Sequence, residues 1–306
     1  LAHLTSKDLT TWTTEAPFYV PGYHGQPECS ELFYWNKWYY LIFSIDGIAR
    51  YRMARHWNGP WITPAVDTLD SPMARVMKTA AFGDRRIGVA FLPTLENDKD
   101  DGNWQYAGVT LFREIRQDFR GYLWTSFVPE MIPATGSPLS LKPLSIPEGV
   151  SYTDNRIEIA RAQGWKALFL EDLPKNIRIT CEIRASGAGE FGIGFRSSGK
   201  GKEGYEMRCS SARQKIEVRP CSMNDEDENG RRSIYDINGL HEMFHVDILL
   251  KEDLVDISVS TGREWRCLIN RFAECHGTGV YLFVRNAQAL FENVTICPIL
   301  PDSSSS

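Results

Sequence analysis

The stretch GQPECSELFYWNKWYYLIFS, residues 25–44, decides the fold of this chain. Two apolar runs in this stretch are separated by the polar pair Asn36-Lys37, and two such runs around a short polar turn predict a β-hairpin. Glu28 then lies on the segment that enters the first strand, directly before Cys29.

Glu28 stands close to a dense run of aromatic residues. A carboxyl group beside bulky apolar rings is poorly solvated, which favours its protonated form. A general acid needs such a proton near neutral pH. The alternative is that Glu28 is a loop carboxylate held by a nearby Arg or Lys, and this stretch alone fits both interpretations.

The composition is that of a folded protein without a charge bias toward nucleic acid. The 306 residues can form one large or two medium domains, and 42% hydrophobic with 24% charged residues is typical of soluble domains. The net charge is −5, with Lys and Arg interleaved with acids, so nucleic acid is not expected as a partner. No apolar run resembles a membrane span or a signal peptide, so no membrane partner is expected either.

The seven cysteines include no C-x-x-C pair, which disfavours a zinc knuckle. Because their number is odd, they are predicted to be buried free thiols rather than a disulfide framework, which favours a reducing compartment such as the cytoplasm. Aromatic residues make up 12% of the chain, which suits stacking on sugar rings and equally suits a β-rich core.

Short alternating or apolar runs recur along the whole chain, and turn residues separate them. This pattern predicts an all-β protein built from sandwiches, barrels or propellers. The stretch PATGSPLSLKPLSIPEGVSY, residues 133–152, is rich in Pro, Ser and Gly and is interpreted as a linker. The predicted organisation is a β domain over 1–133, a linker over 134–151, a second β domain over 152–300 and a disordered tail over 301–306.

The run HEMFH, residues 241–245, matches the H-E-x-x-H signature of zinc proteases, which requires a helix. The sequence continues as VDILLKEDLVDISVS with apolar residues at every second position, which is strand periodicity. In a strand, His241 and His245 would be about 13 Å apart at roughly 3.3 Å per residue. We therefore predict a strand here and no zinc site.

Two further stretches are predicted to be solvated loops. GKGKEG, residues 199–204, joins two predicted strands and opens no helix, so a phosphate cradle is not expected. NDEDENGRR, residues 224–232, is acidic but matches no EF-hand spacing.

Several motifs in order resemble one known family. They are SKDLTTW at 6–12, PECSELF at 27–33, WQYAGVTLFREI at 104–115 and DISVSTGREWRCLINR at 256–271, with YRMARHWNGPW at 51–61 between them. Together they resemble glycoside hydrolase family 32, which contains invertases, inulinases, levanases and fructan transferases. Ser30 and Phe112 replace prolines of the family pattern, and Met77 falls where an aromatic residue of the sugar pocket is common.

The resemblance implies a five-bladed β-propeller followed by a C-terminal β-sandwich. This chain would enter near the end of blade three and contain blades four and five. Glu28 would be the general acid/base, and Gln26, Met77 and Lys78 would contact the substrate. The implied partner is an oligosaccharide or a sucrose-like sugar, and the resemblance implies neither a metal nor an organic cofactor.

The nucleophile motif of the family, N-D-P-N, and its R-D-P motif do not occur in this sequence. Retention requires a second carboxylate about 5–5.5 Å from the acid. Asp8 lies in an Asp-Leu turn whose role resembles a structural one. We therefore expect one of three situations: a fragment of a longer polypeptide, one half of a split enzyme completed by a second chain, or a degenerate relative.

Three functions are consistent with this pattern. The first is hydrolysis or transfer on β-fructosides such as sucrose, inulin or levan. The second is non-catalytic carbohydrate binding or a structural role. The third is an arabinosidase or xylosidase of the same clan.

Strand alternation also predicts orientations around the acid. Glu28 should face the cavity near the propeller axis, whereas Cys29 should point to the opposite face and pack within the blade. Glu31 should share the direction of Cys29. The aromatic residues Phe33, Trp35 and Tyr39 should form a dry wall beside Glu28.

Overall fold

The computed structural model describes residues 1–22, 24–170, 173–221 and 231–301. These residues form 22 strands and two single-turn 3-10 helices, Glu96–Asp98 and Pro129–Met131. Within the described ranges, none of the helices has the length and apolar character needed to span a membrane. The predicted all-β class is confirmed.

The N-terminal half contains a small hairpin and one antiparallel seven-stranded sheet, in the order β3-β4-β5-β6-β7-β8-β9. The strands are β1 (Leu4–Thr5), β2 (Thr13–Thr14), β3 (Glu28–Trp35), β4 (Trp38–Ile45), β5 (Ile48–Ala54), β6 (Arg75–Phe82), β7 (Arg85–Leu95), β8 (Trp104–Gln117) and β9 (Leu123–Ser126). The hairpin predicted for residues 25–44 is β3 and β4, joined at Asn36-Lys37.

The seven-stranded sheet divides into two blades because β5 and β6 share a single residue pair, Ile48 with Arg75. The first blade is β3–β5 and the second blade is β6–β9. Their facing sides form one hydrophobic core, in which Tyr40 and Ile42 of the first blade join Met77 and Leu92 of the second. The two blades therefore pack face to face, as consecutive blades of a partial β-propeller do.

The outer faces of the two blades differ in how they are covered. The N-terminal segment places Phe18 and Tyr19 against Phe43 on the outer face of the first blade. On the second blade, Val89 and Phe82 remain exposed. The open edge of a partial propeller leaves apolar side chains of this kind uncovered.

The C-terminal half is a β-sandwich of two antiparallel sheets. The first sheet has the order β10-β11-β22-β13-β18-β19-β20 and the second has the order β12-β21-β14-β15-β16-β17. The strands are β10 (Val150–Thr153), β11 (Arg156–Ile159), β12 (Trp165–Leu170), β13 (Ile177–Ser186), β14 (Glu190–Ser198), β15 (Glu203–Ser210), β16 (Lys215–Pro220), β17 (Ser233–Ile234), β18 (Phe244–Lys251), β19 (Leu254–Ser260), β20 (Trp265–Arg271), β21 (Gly279–Arg285) and β22 (Gln288–Pro298). Inward residues of both sheets, such as Ile193 and Ile248, form one continuous core.

Residues 134–149 contain no strand and run along the sandwich. The amide of Gly136 donates to the carbonyl of Pro298, and the amide of Leu139 donates to the carbonyl of Ile296. Leu139 and Leu141 pack against the sandwich core. The domain boundaries at 133 and 152 stay predictions. Of the predicted tail, the residues after Pro301 lie outside the described part of the chain.

The structure places two of the three local motifs described above at turns that lead into strands. HEMFH begins in a turn and continues into β18, so the predicted strand periodicity is confirmed from Phe244 onward. The Nδ1 atom of His245 lies 2.9 Å from a carboxylate oxygen of Glu182 on the neighbouring strand. GKGKEG forms the turn between β14 and β15 and the first two residues of β15. Most of the acidic run, residues 224–230, lies outside the described residues.

The cysteines are free thiols over the whole chain. Cys181, Cys209 and Cys267 are buried, as predicted, whereas Cys29 is exposed.

The two halves meet where β20 of the sandwich packs against β7 and β9 of the second blade. Ile269 of β20 is part of the core between the blades. Its amide also donates to Ser71 Oγ at 3.1 Å. The sandwich therefore closes part of the core of the blades rather than being attached by the linker alone.

A buried group of three charges joins these halves. Arg113 Nε donates to Asp70 at 2.6 Å, and Arg113 Nη2 donates to Asp256 of β19 at 2.6 Å. The side chains of Arg113 and Asp70 are each 1% exposed. Burial raises the pKa of the Asp256 carboxyl to about 6, against the opposing effect of Arg113. Two carboxylates and one guanidinium leave a surplus negative charge in the buried group, which a proton on Asp256 neutralises.

Candidate functional site

A β-bulge shapes the start of β3, where Glu28 lies. Glu28 pairs with Ser44 and Glu31 pairs with Ile42, so three steps on β3 oppose two steps on β4. Cys29 lies within this irregular segment and has a φ of 51°. Because Ser44 and Ile42 are two residues apart on β4, Glu28 and Glu31 face the same side of the sheet. The prediction that Glu31 points away from Glu28 is therefore wrong.

The surroundings of Glu28 also differ from the expectation. Cys29 is exposed and does not pack within the blade, because the bulge turns it out of the alternating pattern. Glu28 is itself exposed. Phe33 and Trp35 pack on the core between the blades, whereas Tyr39 packs on Tyr34, with ring centroids 4.9 Å apart. These rings do not form the predicted dry wall.

The carboxylate of Glu28 makes no hydrogen bond or ion pair with any residue in the described part of the chain. It is also the first residue of a strand rather than part of a loop. The alternative interpretation, a loop carboxylate held by an Arg or Lys, is therefore not supported. An unpaired carboxylate open to solvent can accept hydrogen bonds from a bound molecule.

Glu31, in contrast, is fully engaged across the two blades. Its carboxylate accepts from the amide and the hydroxyl of Thr79, both at 2.7 Å, and from Arg86 Nη2 at 2.5 Å. The guanidinium of Arg86 lies 3.3 Å from the ring centroid of Phe33. This network joins the start of β3 to β6, three residues after Glu28 in the chain. No local pattern in the sequence indicated it.

The two neighbouring glutamates give a matched test of this difference. Glu31→Gln should lower the free energy of unfolding by about 2 kcal/mol, because Arg86 loses its charged partner. Glu28→Gln makes the same chemical change at a residue without a partner and should change stability by less than about 0.5 kcal/mol. Urea unfolding of both variants would measure the difference, and equal losses would contradict this account of the network.

Ser44 is a further residue of this site that the sequence did not indicate. It lies opposite Glu28 on β4, and its hydroxyl is buried without a hydrogen-bond partner in the described structure. Buried hydroxyls normally have a partner. Ser44 Oγ therefore offers an unused donor and acceptor next to the unpaired carboxylate.

The second blade repeats the same local irregularity. β6 has a register shift between Arg75 and Lys78, and Val76 has a φ of 52°. Positive φ is unusual for a β-branched residue, and such bulges are enriched beside functional sites. Both innermost strands therefore begin with a bulge.

The three residues predicted to contact the substrate differ in their burial and in the face of the sheet on which they lie. Gln26 is exposed, two residues before Glu28. Met77 is fully buried in the core between the blades, where a substrate has no access. Lys78 is half-buried and pairs with Val89, on the face of the second blade that is turned away from Thr79 and Glu31. Of the three predicted contacts, Gln26 is thus the one that lies next to Glu28 in the chain.

Asp8 has the structural surroundings that the sequence suggested. Its carboxylate accepts from the amides of Thr10 and Thr11 at 2.8 and 2.7 Å. These backbone hydrogen bonds, with that of Thr11 contributing most, hold the pKa of Asp8 well below its ordinary value. A carboxylate engaged in closing its own turn is poorly suited to act as a nucleophile.

Comparisons with known proteins give matches only at the level of structure. No family model matches the sequence, and no curated protein matches it. The exo-inulinase from Aspergillus awamori matches with a TM-score of 0.62 and 11% identity, over 98% of this chain and 62% of that chain. Sucrose-6-phosphate hydrolase from Lactobacillus gasseri matches with a TM-score of 0.59 and 17% identity, over 94% of this chain and 59% of that chain.

Fructan 1-exohydrolase IIa from Cichorium intybus matches with a TM-score of 0.59 and 12% identity, over 95% of this chain and 66% of that chain. The structural neighbours are thus β-fructosidases, and they share the propeller and sandwich fold with this chain. At these identities the likeness shows the fold alone. This chain spans about three fifths of the length of the neighbours.

Proposed function

We propose that this chain is part of a β-fructoside-active glycosidase of glycoside hydrolase family 32. The observation that carries the proposal is Glu28, a carboxylate without a partner at a bulge on the innermost strand of a blade, in a fold shared with β-fructosidases. In contrast, the neighbouring carboxylates Glu31 and Asp8 are already engaged. Glu28 is therefore a carboxylate of this region that is available for chemistry.

In the proposed mechanism, Glu28 first donates its proton to the glycosidic oxygen as the leaving group departs. It then accepts a proton from water, or from an acceptor sugar in a transfer reaction. A retaining mechanism also requires a nucleophilic carboxylate about 5–5.5 Å from the acid. We propose that this nucleophile belongs to a further polypeptide segment or to a second chain that completes the propeller.

Sugar recognition near Glu28 is part of the same proposal. Gln26 is exposed two residues before the acid, so its side chain can bind hydroxyl groups of a fructosyl unit. The family pattern also implied Lys78 and Met77 as substrate contacts. For either residue to contact a sugar, a neighbouring blade would have to form the rest of the pocket. Among the neighbours, a complex of fructan 1-exohydrolase IIa contains 1-kestose, which supports an oligosaccharide as the ligand class.

The proposal is tested by assaying the natural polypeptide that carries this sequence. Fructose release should be detected from at least one of sucrose, inulin and levan, and no pentose should be released from arabinan or xylan. Release of arabinose or xylose would assign the chain to a related clan member instead. Binding of fructo-oligosaccharides without any release would favour the non-catalytic alternative.

A further inference from the structure

A cleft of about 340 Å³ lies between the first blade and the sandwich. Its blade wall is formed by Arg50 of β5 and by residues 65–70, and its sandwich wall includes Tyr235, Asp236 and Arg266. This cleft does not include Glu28. Small-molecule sites often lie at domain interfaces, and their volumes are about 300–1,000 Å³.

The charges of the blade wall are neutralised within the protein. Asp67 accepts from Arg50 and from Arg52, both at 2.6 Å. Asp70 is held by Arg113 in the buried group described above. These carboxylates already have cationic partners, so they give the cleft a polar wall rather than an open charge.

The sandwich wall contains an arginine with unusual surroundings. Arg266 is 7% exposed, and the one hydrogen bond of its side chain with a described residue runs from Nη1 to the carbonyl oxygen of Tyr235, at 3.1 Å. It forms no ion pair with a described residue. A guanidinium has five N–H donors, and buried donors normally find acceptors. Burial also lowers the pKa of Arg266, and the charges of Glu264, Asp236 and Asp70 offset this only in part.

Two neighbours of Arg266 complete the wall. The ring of Tyr235 is 45% exposed, and Lys215 Nζ lies 5.4 Å from its centroid. Asp236 is exposed and accepts no hydrogen bond from the described residues. A set of unused donors, an unused acceptor and an open aromatic ring thus occur together on one side of the cleft.

We propose that this cleft is an accessory binding site for a neutral sugar unit of an oligosaccharide. The ring of Tyr235 offers a stacking surface to the apolar face of the sugar, Arg266 donates to its hydroxyl oxygens, and Asp236 accepts from its hydroxyl groups. The inference rests on the proposed function for the identity of the oligosaccharide, a β-fructoside.

A neutral ligand fits this cleft better than an anion. Asp67, Arg50 and Asp70 are already in ion pairs, so the remaining charged groups of the lining are the guanidinium of Arg266 and the carboxylate of Asp236. An anion attracted by Arg266 would therefore also meet the carboxylate of Asp236. A sugar, which is both a donor and an acceptor, can satisfy both kinds of group without bringing a charge.

The test is hydrogen–deuterium exchange of the natural polypeptide with fructo-oligosaccharides, and in parallel with arabino- and xylo-oligosaccharides and inorganic phosphate. Fructo-oligosaccharides should slow exchange in residues 65–70 and 233–238, and phosphate should not.

Tyr235→Ala and Arg266→Met should each weaken the binding measured at these residues about tenfold, which corresponds to about 1.4 kcal/mol. Tyr106→Ala and Arg263→Met are matched controls, because both side chains are exposed and outside the cleft, and they should leave the affinity unchanged.

The outcomes separate this inference from the proposed function. Protection confined to residues 26–31 would overturn the accessory site and leave the proposed function standing. Protection of the cleft by xylo- or arabino-oligosaccharides alone would keep the site but overturn the fructoside assignment. Protection by phosphate alone, no protection of the cleft by any sugar, or unchanged affinity in Tyr235→Ala would overturn the accessory site.

Discussion

Glu28→Gln, introduced into the complete enzyme, should lower kcat/KM on sucrose- or inulin-type substrates by about 10³-fold. Glutamine has nearly the same shape as glutamate but has no proton to give to the glycosidic oxygen. A factor of that size corresponds to about 4 kcal/mol of transition-state stabilisation. Stability should be unaffected, because the side chain of Glu28 has no hydrogen bond or ion pair in the described structure.

A substrate whose leaving group needs no protonation, such as a fructosyl fluoride, distinguishes loss of acid catalysis from general damage. Its glycosylation rate should recover much of the loss in Glu28→Gln. Normal turnover of an ordinary fructoside by Glu28→Gln would contradict the assignment. A loss that is equally large on the activated substrate would indicate a binding or structural defect instead.

Arg113→Met should lower the free energy of unfolding at pH 7 by about 3–5 kcal/mol. Methionine fills a similar length in the core but leaves Asp70 and Asp256 buried without a counter-charge. In the natural chain the two carboxylates hold the pKa of the Arg113 guanidinium well above its ordinary value, although burial alone would lower it. Chemical denaturation followed by tryptophan fluorescence would measure the loss.

The pH dependence of this variant has a defined sign. The pKa of Asp256 is raised in the folded protein, from an ordinary 3.8 to about 6. The folded state therefore binds more protons than the unfolded state between these values, so this contribution is present below about pH 4 and is lost as the pH rises through 6. Removing Arg113 removes the one cation that stabilises the ionised form, so the deficit of Arg113→Met should be smaller at pH 5 than at pH 8.

Two controls bound this prediction. Asp256→Asn mimics the protonated form and should change stability at pH 7 by less than about 1 kcal/mol, because Arg113 keeps Asp70 as its partner. Arg156→Met removes an arginine that is paired at the surface and should cost no more than about 1 kcal/mol. If Arg113→Met were no worse than Arg156→Met, the buried group would not be what holds blade and sandwich together.

Local patterns in the sequence were sufficient for the strands and for the class of fold. The apolar runs around Asn36-Lys37 predicted the hairpin, and the alternation after Phe244 predicted a strand where a metalloprotease motif suggested a helix. Both follow from side chains within a few residues of one another, because the period of burial along a strand is visible in the sequence itself. The ordered motifs likewise led to the fold that the structure and its neighbours share.

Only the tertiary structure decided what surrounds the candidate acid. The bulge at Cys29 reversed the alternation and placed Glu28 and Glu31 on one face. Glu31 is held by residues 48 and 55 positions away in sequence, and Arg113 binds carboxylates 43 and 143 positions away. A strand pattern shows which residues alternate, but it does not show the register shift or the remote partner that determines whether a carboxylate is engaged or free. Those features depend on how separate strands pair and on how the blades and the sandwich pack.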